Sequence, residues 1–221
     1  MPRLAVFDLD QTLLDGDSDY LWGRFLVHNG LVDAETYEQA NRRFYDEYRA
    51  GTLDIYDFCR FAFAPLAANE PELLLALRAR FVTEEIEPRV AIAAPTLLER
   101  HRASGDTLII TTATNRFVTE PIARLLGVEH LIATDPERIA GRYTGQVAGT
   151  PNFQRGKVEN LRVWRAQHTQ TFDGTICYSD SHNDLPLLES VDEAVAVDPD
   201  DILRSEAATR GWAVISLRNP L

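Results

Sequence analysis

Lysine is nearly missing from this chain: of its 22 Lys and Arg residues, Lys157 alone is a lysine. Positive charge is short as well. The formal net charge of −12 excludes steering toward nucleic acid or an anionic membrane, because the global field repels phosphate polymers. Cysteine is scarce. Cys59 lies in a helical pattern and Cys177 in an apolar strand pattern, so no disulfide framework or zinc set can form, and both are expected as buried free thiols in a reducing cytoplasm. Long apolar runs are lacking too: the richest, 58–68, is broken by Arg60 and Pro65, which excludes a spanning helix. An acidic motif beginning at position 8 leaves no room for a signal peptide. What remains is an expected cytoplasmic globular protein, monomer or homodimer. Its 221 residues, 45% hydrophobic and 25% charged, suffice for one substantial core plus an insertion.

Strand-like apolar runs recur at 4–7, 107–111, 130–133, 175–178, 194–197 and 213–215, and helical patterns at 116–126, 154–168, 184–190 and 201–210 separate the later ones. Strands alternating with helices predict an α/β fold, a doubly wound and mainly parallel sheet. Between the first strand and the second the pattern changes. Residues 15–94 carry no strand signal and read as an inserted α-helical cap, leaving 1–14 and 95–221 as the core. Ser18 is placed to cap a helix running to His28, and Asp33 to cap the next, whose Tyr37, Phe44 and Tyr48 share a face. A third helix is expected from near Thr52 to before Pro65, and a fourth after Pro71. The aromatic stripes are expected to be inner packing of this bundle. Residues 139–145 read as a short hairpin at the side of the sheet domain.

Four polar constellations stand at strand ends or a helix start: Asp8 with Asp10, Thr111-Thr112-Ala113-Thr114, Gly156-Lys157, and Asp180-Ser181-His182-Asn183-Asp184. In an open parallel sheet, ligands bind beside the carboxyl ends of the strands. Two carboxylates one residue apart at a buried strand end are costly unless a cation neutralises them or one of them reacts. Three carboxylates converging from two strand ends make an oxygen-rich site that suits Mg²⁺ better than Zn²⁺. A threonine hydroxyl, the following amide and an ammonium group supply donors for phosphate oxygens. Such a site is built for phosphoryl transfer, in which a carboxylate can attack phosphorus and a second can move the proton. Gly156-Lys157-Val158 is not a P-loop, since no Ser or Thr follows the lysine.

The order Asp8-x-Asp10-x-Thr12, then Thr112 after an apolar strand, then Lys157, then Asp180-x-x-x-Asp184 resembles the haloacid dehalogenase superfamily of phosphatases. The helical insertion between the first two motifs is similar to the cap of its phosphoserine-phosphatase-like branch. The resemblance implies that Asp8 is the nucleophile and a Mg²⁺ ligand. It implies that Asp10 is the general acid and base and ligates Mg²⁺ through its backbone carbonyl. Thr112 and the Ala113 amide would hold the phosphoryl group, Lys157 would neutralise Asp8 and the phosphate, and Asp180 would complete the Mg²⁺ ligands. Asn183 would reach the phosphate region, and Asp184 would orient a metal water or Lys157. Asp10 favours a phosphatase or phosphomutase over a dehalogenase. The sequence departs from the family at Thr112-Ala113, where Ser-Gly is usual and Thr111 is an alternative register, and at Ser179, where glycine usually precedes the aspartate.

The resulting expectation is a Mg²⁺-dependent phosphomonoester hydrolase working through an aspartyl-phosphate on a small phosphorylated metabolite. Asp17, nine residues after Asp8, lies near where that branch carries an acid for the substrate amine, and helix capping explains it equally. An amino-bearing substrate, phosphoserine or histidinol phosphate, follows from the first reading. Arg42, Arg43 and Arg49 offer a cap contact to a carboxylate or phosphate, or are solvated helix faces. His182 is expected in a loop or first-turn role. The alternatives are a phosphomutase and a phospho-accepting signalling domain.

Overall fold

A computed structural model of the chain describes residues 2–219; residue 1 and residues 220–221 of the expected core lie outside the described residues. Strand β1 (Leu4–Phe7) is wholly buried. It is followed by β2 (Thr107–Asn115), β3 (His130–Ile139), β4 (Arg142–Ala148), β5 (Thr175–Ser179), β6 (Glu193–Val197) and β7 (Ala213–Ile215). The sheet order is β4-β3-β2-β1-β5-β6-β7, parallel throughout except for β4, which runs antiparallel to β3. β1 is therefore central. Its four residues are all apolar because helices cover both sheet faces. Leu4 and Val6 join one cluster with Leu161 of α7 (Arg155–Gln167) and Leu203 of α9 (Asp201–Arg210). Ala5 and Phe7 join the other, with Leu98 of α5 (Ala94–Ala103) and Ile122 of α6 (Arg116–Leu125).

Between β1 and β2 the chain builds α1 (Ser18–His28), α2 (Ala34–Arg49), α3 (Ile55–Ala68) and α4 (Pro71–Phe81). It leaves the sheet and returns at one place. Leu14 and Val90 form an isolated antiparallel bridge, the Ala91 amide donates to the Leu13 carbonyl at 2.9 Å, and the Asp15 amide donates to the Arg89 carbonyl at 2.7 Å. Inside the insertion Trp22 meets Phe81 edge-on at 5.2 Å and comes within 5.9 Å of Phe117 in α6, so one apolar cluster runs from sheet to insertion. The β3–β4 hairpin is more than a side feature: β4 packs against α3, and Arg142 pairs with Glu70 at 2.7 Å.

Several elements differ from their expected bounds, each for a local reason. Asp17, not Ser18, caps α1: its carboxylate accepts from the amides of Asp19 and Tyr20 at 3.0 and 2.9 Å, while the Ser18 hydroxyl is buried without a partner among the described residues. Helix α3 starts later, on an Asp54 cap, and continues through Pro65 to Ala68. The proline forfeits one backbone bond, but it is buried beside Leu66. The expected helix 184–190 is a 3₁₀ turn, His182–Asp184, followed by the short α8 (Leu185–Leu188), which begins afresh around Pro186. β2 runs to Asn115, and β3 continues into the hairpin. No helix among the described residues is long and apolar enough to cross a membrane.

Candidate active site

Asp8 continues the β1 ladder, its amide donating to the Tyr178 carbonyl of β5 at 2.9 Å. The chain then turns at Gln11, which takes a left-handed φ of 59° and whose side chain accepts from Arg218 at 2.7 Å. That turn brings the Thr12 hydroxyl back between the two strand ends. It lies 3.0 Å from Asp180 Oδ1 and 3.4 Å from Asp8 Oδ2, so one donor serves carboxylates from two segments. Thr12 belongs to the first motif, but its bridging place depends on Asp180 and was not legible locally.

Lys157 sits in the first turn of α7, 3% exposed, with Nζ 2.7 Å from both Asp8 Oδ1 and Asp184 Oδ2. Burial works to discharge it, but Asp184 and Asp8 outweigh burial and hold the ammonium charged above the ordinary lysine range. Asp184 is held in turn by the Ser179 hydroxyl at 2.7 Å. The serine that replaces the usual glycine thus has a bond of its own. Asp8 is less well compensated: burial pushes its carboxyl up to about 7, with Lys157 opposing and Asp184 and Asp10 adding to the rise. Burial likewise raises Asp180 well above the usual range, and Asp8 and Asp184 raise it further.

Asp10 is anchored on three sides. Ser18 N donates to Oδ1 at 2.7 Å, and the hydroxyls of Thr112 and Thr114 donate to Oδ2 at 3.2 and 2.9 Å. Strand alternation separates Thr111 from Thr112. Thr111 accepts from the Asn152 side chain at 3.0 Å on the far side, whereas Thr112 and Ala113 face the cavity. Asn152 also donates to the carbonyls of Thr112 and Ile132 at 2.9 and 3.1 Å, close to where the β2–β3 register shifts. Nothing in the sequence pattern marked it, because its partners lie 20 to 41 residues away.

These groups floor a cavity of about 560 Å³ between the sheet and the helical insertion, a volume that suits a small ligand. Asp8, Asp10, Asp17, Thr112, Ala113, Lys157 and Asp180 all line it. Asp184 stands behind Lys157. Asn183 does not line the cavity: its Nδ2 donates to the Tyr48 carbonyl at 2.9 Å and its Oδ1 accepts from Gln154 at 3.0 Å, which ties α2 to the core. His182 keeps a turn role, its amide and Nδ1 both 2.8 Å from Asp200 Oδ2. The α2 aromatics follow expectation in part: Tyr37 and Phe44 pack inward against Phe61, but one side of the row opens on the cavity. Phe44, Tyr45 and Tyr48 line the cavity with Phe58, while Trp22, Phe25, Phe63 and Phe81 form the interior. Arg43 pairs with Asp57 at 3.2 Å on the surface; Arg49 lines the cavity.

The donor set fits a hard divalent cation. Asp8 and Asp184 share a single ammonium and Asp180, bonded to the Thr12 hydroxyl, shows none among the described ion pairs, so negative charge is in excess where burial makes it costly. Among the described residues no group of three or more His, Cys, Asp or Glu forms a self-sufficient metal cage. Two carboxylates with room for waters and substrate oxygens is the manner in which Mg²⁺ is usually held.

A family model described as haloacid dehalogenase-like hydrolase matches residues 5–189. A protein named histidinol-phosphatase from Neisseria meningitidis is 41% identical over 222 residues, 99% of this chain and 100% of its own length. The phosphoserine phosphatase SerB1 of Mycobacterium tuberculosis is 30% identical over 97% of this chain and 70% of its own. Among solved structures, a protein of unknown function from Bordetella pertussis superposes with a TM-score of 0.93 at 43% identity, over 98% of this chain and 99% of that one.

Proposed function

Because the chain belongs to the haloacid dehalogenase-like hydrolase family, we propose that it is a Mg²⁺-dependent phosphomonoesterase acting through an aspartyl-phosphate on Asp8. Its substrate is a small amino-bearing ester, histidinol phosphate foremost. The observation that carries the reading is the convergence of Asp8, Asp10, Thr112 and Lys157, from the end of β1, the carboxyl half of β2 and the start of α7, on one cavity floor. The Asp8 carboxylate forms a bond to phosphorus as the bond from phosphorus to the substrate alcohol breaks. Asp10, aimed by Thr112, Thr114 and the Ser18 amide, gives its proton to the departing oxygen. Water then attacks the phosphorus of the aspartyl-phosphate, Asp10 takes its proton, and inorganic phosphate leaves Asp8 free. Lys157 keeps Asp8 ionised and receives phosphoryl charge, Asp184 positions Lys157, and Thr112 with the Ala113 amide holds the phosphoryl oxygens. Mg²⁺ would be held by the carboxylates of Asp8 and Asp180 and the Asp10 carbonyl, and when bound supplies positive charge against the phosphoryl group. In this reading residues 15–94 act as a cap that excludes water and selects the alcohol.

The substrate class rests on charge. Asp17 and Asp19 add to Asp10 at the cavity, against Lys157, Arg49 and Arg218. Such a site favours an amine and disfavours a further carboxylate. Arg49 supports phosphoserine as the second reading, since a guanidinium at the cavity can take a carboxylate.

The test is a panel of phosphomonoesters with Mg²⁺, following free phosphate, phosphoisomer and stable phosphoprotein together. Fastest phosphate release from histidinol phosphate is expected, with Asp8→Asn slower by roughly 10³-fold or more. Equal release by the variant overturns the mechanism. Turnover of sugar or nucleotide phosphates alone overturns the substrate class. Accumulation of phosphoisomer or of stable phosphoprotein turns the reading to a mutase or a signalling domain.

A further inference from the structure

Helix α2 turns Asn41, Phe44, Tyr45 and Tyr48 toward the cavity at spacings of three and four. Asn41 is out of keeping with that aromatic row. It is 8% exposed, it lines the cavity, and its carboxamide makes no hydrogen bond among the described residues. Asn41 is not among the described residues whose unpaired polar atoms are fully enclosed, so its amide opens on the cavity, where a ligand can complete it. A second unsatisfied group stands on the neighbouring helix. Asp19 also lines the cavity; one oxygen accepts from Asn115 Nδ2 at 3.3 Å, and no cationic side chain pairs with it among the described residues. The two helices meet along this seam, with the Tyr20 and Tyr45 rings 6.0 Å apart and Gly23 lying against the Tyr37 ring.

We infer that Asn41 and Asp19, framed by Phe44, Tyr45 and Phe58, seat a flat ring of the imidazole class on the substrate's leaving alcohol. The chemistry is reciprocal. A neutral imidazole has one N–H donor and one nitrogen acceptor, and a protonated one has two donors. Asp19 takes a ring N–H, and the Asn41 carboxamide presents either its NH₂ or its oxygen to the second nitrogen. The aromatic side chains take the ring faces. A phenyl ring leaves both groups unpaired, and an amino alcohol without a ring brings an ammonium that the cavity carboxylates can hold but no ring nitrogen to span Asn41 and Asp19 together. The seat rests on the reading of this cavity as a phosphomonoesterase site, and it assigns the choice of alcohol to α1 and α2.

The experiment uses the full chain with Mg²⁺ and p-nitrophenyl phosphate as reporter, inhibited by histidinol or by ethanolamine, which carries an amine and no ring. In the wild type histidinol is expected to inhibit at least tenfold more tightly than ethanolamine. Asn41→Leu should shrink that preference by roughly 10- to 100-fold, and Asn41→Asp, which keeps an acceptor and pairs with a protonated ring, should preserve it. The seat is overturned if histidinol is no better than ethanolamine in the wild type, or if Asn41→Leu leaves their ratio unchanged. A wild type releasing no phosphate overturns the phosphatase reading, and calorimetric binding of histidinol to wild type and Asn41→Leu then decides the seat on its own. Thermal melts show whether either variant has unfolded.

Discussion

Asp17 performs two tasks that pull its ionisation in opposite directions. As the cap of α1 it accepts two amide bonds, which favour the carboxylate, yet burial and the charge of Asp10 push its carboxyl up to about 7. Its pKa in the folded chain therefore lies above that in the unfolded chain, so the folded state binds the extra proton. The stability this contributes is complete below about pH 4 and is lost as pH rises through 7. Asp17→Asn keeps the cap and removes the charge. In metal-free melts it should match the wild type near pH 4 and exceed it at pH 8 by roughly 2–4 °C; a gain of equal size at both values would place the effect elsewhere. At this scale the sequence was informative wherever a short motif sets a residue's place, as with Asp8, Asp10, Lys157 and Asp180, which meet at one cavity. It was silent on Asn41, Asn152 and the bridging place of Thr12, whose positions are defined by partners on other segments. Asn183 is the converse: its position in a recognisable motif suggested a ligand contact, while its side chain joins α2 to the core.

Elements were legible to the extent that their ends are set locally. Helix α9 keeps the bounds 201–210 expected of its pattern, with Asp200 capping its start and Gly211, at φ of 70°, following its end. The continuation of α3 through Pro65 was not expected, because burial of Pro65 and Leu66 repays a loss that local propensity alone would forbid. The start of α7 makes a sharper case. Gly156 stands one residue before Lys157, and a Cβ there would come within 2.1 Å of the Pro151 carbonyl oxygen. Backbone has to move to admit it. Gly156→Ala should cost about 1–3 kcal/mol in denaturant melts and lower kcat by displacing the ammonium from Asp8. A variant with full stability and activity would show that this turn tolerates more room than its contacts allow.

Across the whole molecule the deficit of positive charge is concentrated where β1 and β5 end side by side, and the folded chain holds its carboxylates there against their own repulsion. A cation that binds this arrangement and not the unfolded chain must stabilise the fold. Saturating Mg²⁺, at about a hundred times its Kd, should add about 2.7 kcal/mol and raise Tm by roughly 5–10 °C. Asp180→Asn should abolish the response, since it removes one of the two carboxylates; an undiminished response in that variant would mean that Mg²⁺ binds elsewhere.

The neck at Leu14 and Val90 has a consequence for how such a chain can diversify. Both ends of the helical insertion are pinned to each other by backbone bonds, so the segment between them is a closed excursion that starts and finishes at one point of the sheet. The backbone path from β1 to α5 is thus set at the neck, while the insertion's contents meet the core through Ser18 on Asp10 and through Trp22 on Phe117. Asp8, Asp10, Lys157 and Asp180 all lie outside that excursion, whereas Asn41 and Asp19 lie within it. On the proposed reading, the residues that would break the ester and those that would choose it lie on opposite sides of this neck, with the Ser18 amide on Asp10 as a bond between them, so a lineage could change its substrate by exchanging the excursion beyond Ser18.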